Sequence, residues 1–247
     1  MLNNIIGFTK KEKIGLFVRQ ATLDDVEVLT NLINFSYRGT ISTDSDRNAP
    51  LSWTNETHYI GGKRLDNQSL AREIKKQSDD VMLYFVLELR NSNNNIDTSE
   101  KDGATGNNNN SKNKPIASIR IDRDNDIAYI GTFSVDSKLQ SDGVGGVLMR
   151  FAELYIKANW IQVKEIVLYV VSIRYELLKW YQNIGYTLTS ETRPFFNPDH
   201  DSVPFVDGIV FSKLTKNMLS VVGISSDEIP KDHSILDQSE YDIDNFK

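Results

Sequence analysis

The sequence contains no cysteine and only three histidines. The absence of cysteine excludes disulfide scaffolds, thiolate zinc sites and cysteine nucleophiles. The histidines are scattered and lack metal-ligand spacing, so we expect no metal site. No apolar run approaches the roughly 18 to 20 residues that span a bilayer, and the first residues lack the apolar stretch of a secretory signal. We therefore expect no membrane association and a cytoplasmic location, with the nucleus as the alternative.

A surplus of basic residues is also lacking. The 28 lysines and arginines are outnumbered by 34 acidic residues, which gives a formal net charge of -6. Proteins that bind nucleic acid usually carry a basic face that neutralises phosphates, so we expect no nucleic-acid partner. The chain has 247 residues, of which 39% are hydrophobic. This is enough to form one full-sized core.

Composition predicts the domain organisation. Residues 1–13 are expected to be an N-terminal extension, residues 14–218 the folded domain, and residues 219–247 an acidic tail. Within the domain, residues 91–113 read NSNNNIDTSEKDGATGNNNNSKN. This stretch has almost no apolar residues with which to offset its ordering entropy, so it is predicted to be a disordered insertion at a hairpin tip.

The remaining sequence alternates strand and helix patterns. A short strand over residues 16–19 precedes a helix with Thr22 as its N-cap, and a second helix is predicted over residues 66–77. Strands are predicted over residues 81–89, 115–122, 127–135, 165–171, 186–192 and 208–214, and further helices over residues 143–157 and 174–184. About seven strands and four helices predict an α/β (α+β) fold, a mixed, twisted sheet with helices on both faces.

A glycine-rich loop between a strand and an amphipathic helix carries the main chemical signal. Residues 133–146 read FSVDSKLQSDGVGG, in which Gln140, Gly143 and Gly145 match the pattern Gln/Arg-x-x-Gly-x-Gly/Ala. Glycines let backbone amides approach a pyrophosphate, and a helix N-terminus aims unpaired N–H groups at it. Three glycines alone also fit a flexible turn before a helix. In this strand–loop–helix context, the segment resembles the GNAT superfamily of acyl-CoA N-acyltransferases.

Two other nucleotide-binding motifs fit the same loop less well. A P-loop needs Gly-Lys-Ser/Thr at its end, whereas Gly146 is followed by Val147 and Leu148, which excludes a Walker-type ATPase. A Rossmann fingerprint lies near the first βα unit and has a third glycine where this chain has Leu148. Dinucleotide binding is therefore the weaker interpretation.

A second motif strengthens the resemblance. Tyr181, Gly185 and Tyr186 reproduce the Tyr-x-x-x-Gly-Phe/Tyr pattern that ends the family's next helix. The family often has asparagine seven positions before this tyrosine, where this chain has Arg174. The resemblance extends over about residues 16–216. It implies a mostly antiparallel sheet, acetyl-CoA as co-substrate without a metal, and a strand over residues 132–135 that splays from its neighbour to pair with the pantetheine arm.

The resemblance also implies roles for individual residues. The residues expected to bind the cofactor are Phe133, Ser134, Val135, Gln140, Ser141, Asp142, Gly143, Val144, Gly145, Gly146 and Arg174. Tyr181 is expected to protonate the departing thiolate, because a phenol has a suitable pKa; a packing role on its helix face is the alternative. A backbone N–H near residues 133–135 is expected to stabilise the oxyanion.

The acceptor side is less sharply defined by the sequence. Glu56 and Glu191 are the candidates for a general base, with surface carboxylates as the plain alternative. Tyr37, Arg38, Trp53 and Arg193 are candidate substrate contacts, and the two arginines together would suit an acceptor that carries a carboxylate or phosphate. His58 lies in the same region and is a further candidate substrate contact, although a lone histidine is more often a surface residue than a catalytic one.

The predicted function is transfer of an acetyl group from acetyl-CoA to a primary amine by direct attack. The acceptor is expected to be a small molecule, with a protein amine as the other option, and the enzyme to be a monomer or homodimer. The alternative function is a catalytically silent acyl-CoA-binding or interaction module with the same fold.

Overall fold

The computed structural model describes residues 4–39, 51–90, 114–195 and 202–221. The strands in these ranges are β1 (Asn4–Phe8), β2 (Gly15–Gln20), β3 (Ile60–Gly61), β4 (Met82–Arg90), β5 (Ala117–Asp124), β6 (Ile127–Val135), β7 (Glu165–Val171), β8 (Thr187–Pro194), β9 (Val203–Pro204) and β10 (Val210–Asn217). The helices are α1 (Val26–Arg38), α2 (Asn67–Lys75), α3 (Val144–Asn159) and α4 (Tyr175–Asn183). No helix in the described ranges is long and apolar enough to cross a membrane.

Eight of the strands form one sheet in the order β1-β2-β4-β5-β6-β7-β10-β8. Every neighbouring pair is antiparallel except β6 and β7, which run parallel. Strands β3 and β9 form a separate two-stranded ribbon. The predicted mixed, mostly antiparallel sheet is therefore confirmed.

The hydrophobic residues divide into layers on the two sides of this sheet. One core cluster joins α3 and α4 to the sheet through residues such as Leu148, Phe151 and Leu178. A second cluster joins α1 and α2 to the opposite face through Ile33 and Leu70. Strand β4 lies between the two layers, and its first seven residues are all buried. This burial on both faces explains its nearly continuous apolar run.

Polar side chains and one glycine fix the helix ends. The Asp66 carboxylate accepts the Ser69 backbone N–H at 2.7 Å and caps α2, as Ser, Thr, Asp and Asn commonly do. The Asp25 carboxylate accepts the Thr22 N–H at 2.8 Å in the short turn before α1. Beyond α4, Gly185 has a φ of 94°, a left-handed conformation that glycine adopts readily.

Three strands have no counterpart among the predicted elements. Strands β3 and β9 have two residues each, too few for any alternation to show. Strand β1 lies within the segment predicted to be an N-terminal extension, yet it pairs with β2 at the sheet edge and buries Ile6 in the core. The predicted insertion over residues 91–113 and the predicted tail beyond residue 221 lie outside the described residues.

Candidate active site

Strands β6 and β7 separate partway along their length. Their parallel register runs from Ile127 opposite Glu165 to Ile130 opposite Leu168 and then stops, while β7 continues alongside β10. At the point of separation, Thr132 has a φ of 44°, which is uncommon for a β-branched residue. The register with β5 also shifts here, so that β6 carries a bulge. The end of β6 therefore borders a wedge between two strands.

A cavity of about 550 Å³ opens at this wedge. It is bounded by the end of β6, the start of α3 and one side of α4. The predicted site residues that line it are Tyr37, Trp53, Phe133, Val135, Gln140, Ser141, Gly143, Gly145, Gly146, Arg174 and Tyr181. The structure thus brings most of the predicted cofactor residues together with the predicted catalytic tyrosine.

The glycine loop forms the entrance to α3. Gly143 has a φ of 82° and is the residue from which α3 begins. A Cβ at Gly145 would lie 3.3 Å from the Phe133 ring, whereas a Cβ at Gly146 would meet no atom within 4 Å. Gly146 also lines the cavity. The first turn of α3 therefore presents backbone N–H groups to an open volume, an arrangement suited to an anion.

Gln140 and Asp142 hold this loop in place. The Gln140 side chain donates to the Ser52 hydroxyl at 2.6 Å and accepts the Trp53 backbone N–H at 3.1 Å. It therefore joins the loop to the segment that follows α1. The Asp142 carboxylate is buried and accepts the backbone N–H of Lys11 at 2.8 Å.

Lys10 is a lining residue that the sequence did not predict. It lies in the turn between β1 and β2, where its backbone N–H donates to the Asp142 carbonyl at 3.0 Å. Its side chain passes beside Gly143, with Lys10 Cγ 3.0 Å from the position of a Cβ there. A lysine so far from the motif in sequence has no local signal, because only pairing of β1 with β2 brings it to the loop.

Tyr181 forms part of the cavity wall at the wedge. Burial raises the pKa of its hydroxyl well above the usual value, and Tyr37 adds to this effect while Arg174 opposes it. The hydroxyl therefore stays protonated at any physiological pH. Next to it, Trp180 stacks on Phe133 with ring centroids 6.0 Å apart. The Tyr37 hydroxyl donates to the Phe133 carbonyl at 3.1 Å.

Two arginines and one glutamate form a buried cluster beside this wall. Arg38 and Arg174 donate to the two different carboxylate oxygens of Glu56, the second at 2.9 Å. All three residues are less than one-tenth exposed. Arg38 also donates to the Ser202 hydroxyl at 3.1 Å. Glu56 was predicted as a base candidate, and the structure engages both of its oxygens with guanidinium groups.

The two candidates on β8 lie elsewhere. Glu191 is exposed and accepts two hydrogen bonds from Lys213, at 2.9 and 3.0 Å. The Arg193 guanidinium lies 4.2 Å from the centre of the Tyr169 ring. Neither residue lines the cavity. His58 is exposed, with its ring edge-on to Tyr59. Within the described ranges, no cluster of three or more His, Asp or Glu side chains is arranged to hold a metal ion.

No protein-family model matches the chain, and no curated protein matches it in sequence. Solved structures do resemble it. One is the spermidine N-acetyltransferase from Vibrio cholerae in complex with CoA and spermine, which is 13% identical. The match covers 84% of this chain and 98% of that protein, with a TM-score of 0.52. A GNAT-family acetyltransferase from Streptococcus pneumoniae is 16% identical, with coverages of 82% and 99% and a TM-score of 0.50. The chain therefore has the fold of the GNAT acetyltransferases.

Proposed function

We propose that this protein is an N-acetyltransferase that transfers the acetyl group of acetyl-CoA to the primary amine of a small molecule. One observation carries the proposal: a single cavity joins the glycine-lined start of α3 to the wedge between β6 and β7, with Tyr181 in its wall. The V. cholerae structure, which has the same fold, holds CoA and spermine. That likeness supports the proposal at the level of fold.

The residues fit the cofactor at both ends. The backbone N–H groups of Gly145 and Gly146 would hold the pyrophosphate at the positive end of the α3 dipole. The stretch of β6 beyond Ile130, which no longer pairs with β7, would take up the pantetheine arm as an added strand. Lys10 adds a side-chain cation beside Gly143. The main chain supplies most of the contacts in this proposal, which agrees with the small number of cations in the cavity wall.

The proposed reaction is direct attack of the neutral amine nitrogen on the thioester carbonyl carbon. A new C–N bond forms and the C–S bond breaks, so the nitrogen must lose a proton and the sulfur must gain one. Tyr181 is the proposed donor to the sulfur, because it lines the cavity at the wedge and its hydroxyl carries a proton. Burial raises the pKa of this hydroxyl, so in this proposal the tyrosinate formed is reprotonated at once from solvent. Desolvation around the wedge would strengthen any backbone N–H directed at the oxyanion.

The proton lost by the amine is proposed to pass to solvent. Glu56 already accepts from two guanidinium groups, and Glu191 is paired with Lys213 outside the cavity. Neither carboxylate is arranged as a free acceptor beside the wedge. In this proposal Glu56 organises Arg38 and Arg174 and does not remove a proton.

Thiol release measured over a panel of primary amines tests the function. An active enzyme releases CoA only when acetyl-CoA and a suitable amine are both present, and calorimetry shows acetyl-CoA binding without the amine. Binding with no release on any amine would favour the silent acyl-CoA-binding module. Absence of acetyl-CoA binding would refute both alternatives.

A further inference from the structure

Positive charge is in excess at the Tyr37 end of the cavity. Arg38 and Arg174 share the single carboxylate of Glu56. A third guanidinium, that of Arg64, lies 5.4 Å from the centre of the Tyr37 ring. Among the described residues that surround Tyr37, three guanidinium groups therefore face one carboxylate. Burial lowers the pKa of Arg38 despite the opposing effect of Glu56, and Arg64 lowers it further.

One of these arginines both lines the cavity and has a buried donor without a partner. Arg174 lines the cavity, and its side chain is 6% exposed. Its Nη1 donates to Glu56 at 2.9 Å, while its buried Nη2 has no hydrogen-bond partner among the described residues. Buried polar groups normally find partners, and an unsatisfied charged donor is costlier than a neutral one.

We propose that the acceptor amine carries a carboxylate or a similar anionic oxygen group, and that Arg174 binds this group through Nη2. The inference rests on the proposed function and narrows its substrate class. Glu56 holds the Arg174 guanidinium through Nη1, which leaves Nη2 as the donor for the anionic group. Arg174 stands at the position where the family often has asparagine.

The charge balance favours an anion over other occupants. A carbonyl oxygen of the cofactor would satisfy one hydrogen bond but would leave the positive surplus uncompensated. A polyamine would add further positive charge to a region where, among the described residues, guanidinium groups outnumber carboxylates, and like charges at close range oppose binding. An anionic group satisfies both the donor and the charge.

Matched pairs of acceptors test the proposal on the wild-type enzyme. Each pair consists of an α-amino acid and the amine that lacks its carboxylate, such as phenylalanine with phenethylamine or lysine with cadaverine, and spermidine serves as a cationic probe. We expect kcat/KM to be at least tenfold higher for the preferred amino acid than for its decarboxylated partner. Preference for the decarboxylated amines or for spermidine would overturn the proposal.

Replacement of the arginine assigns the effect to this residue. The resemblance implied that Arg174 binds the cofactor, whereas this proposal assigns it to the acceptor. Arg174→Gln should therefore reduce the preference for the carboxylate at least tenfold, while the Kd for acetyl-CoA stays within about twofold of wild type. Arg123→Gln is the control, because Arg123 lies over the Trp160 ring outside the cavity. If Arg174→Gln weakens acetyl-CoA binding and keeps the preference, Nη2 faces the cofactor and the proposal is wrong.

Two outcomes separate this inference from the function on which it rests. Transfer to amines without any preference for carboxylates overturns the substrate class and leaves the N-acetyltransferase intact. Binding of acetyl-CoA without transfer to any amine overturns the proposed function and the inference with it. Should Arg174→Gln fail to fold, the wild-type acceptor pairs still decide the substrate class.

Discussion

Replacing Gly146 by alanine should stabilise the fold and weaken acetyl-CoA binding at the same time. Gly146 is the third residue of α3, and a Cβ there would meet no atom within 4 Å. Glycine within a helix costs roughly 0.5–1 kcal/mol relative to alanine. With no clash to offset this gain, Gly146→Ala should raise the free energy of unfolding by about that amount, or the melting temperature by about 1–4 °C in a domain of this size.

The same methyl group should interfere with the ligand. Gly146 lines the cavity, so a Cβ would occupy space through which a phosphate must approach the backbone N–H groups. We expect the Kd for acetyl-CoA to rise at least tenfold, which corresponds to about 1.4 kcal/mol. Gly146→Asp should abolish binding by adding negative charge, although an acidic residue in the first turn suits the helix dipole and should not destabilise the fold.

Thermal unfolding without ligand and calorimetry with acetyl-CoA measure the two effects separately. Opposite signs for stability and binding are the expected result in Gly146→Ala. Wild-type affinity in both variants would show that no phosphate lies at the start of α3. A loss of stability in Gly146→Ala would show that the space beside this residue is not open in the free protein.

Three further substitutions test the other parts of the site. Tyr181→Phe keeps the ring packing and removes only the hydroxyl, so kcat should fall at least tenfold with acetyl-CoA affinity retained. Because burial raises the pKa of Tyr181, the wild-type rate should also show no loss from ionisation of this hydroxyl up to about pH 10. An unchanged kcat in Tyr181→Phe would make Tyr181 a packing residue. Lys10→Ala should weaken acetyl-CoA binding about three- to tenfold and reduce the dependence of binding on salt. The control variant Lys11→Ala should bind acetyl-CoA like the wild type. Equal affinities in the two variants would show that Lys10 does not belong to the site. Glu56→Gln should lower the free energy of unfolding by about 3 kcal/mol in urea titrations, since it leaves two buried arginines without a carboxylate. Full stability together with a loss of activity would instead support Glu56 as the general base.

Local patterns in the sequence determined the elements and the glycine loop before α3. Strands β6 and β7 were predicted with the bounds that the structure gives them, because both are apolar runs that end at turn residues. The glycines after Gln140 and the Gly185 stop of α4 were also readable, since each reflects the backbone conformation of a few neighbouring residues. Signals of this kind need no knowledge of which segments meet.

Only the tertiary structure decided which side chains meet at the site. Glu56 and Arg174 are far apart in the chain, yet they share a buried ion pair, whereas Arg193 lies on Tyr169 and outside the cavity. Lys10 reaches Gly143 because a short edge strand pairs with β2. Such contacts depend on strand order and on where β6 separates from β7. These are properties of the whole packed sheet, and no local window of sequence encodes them.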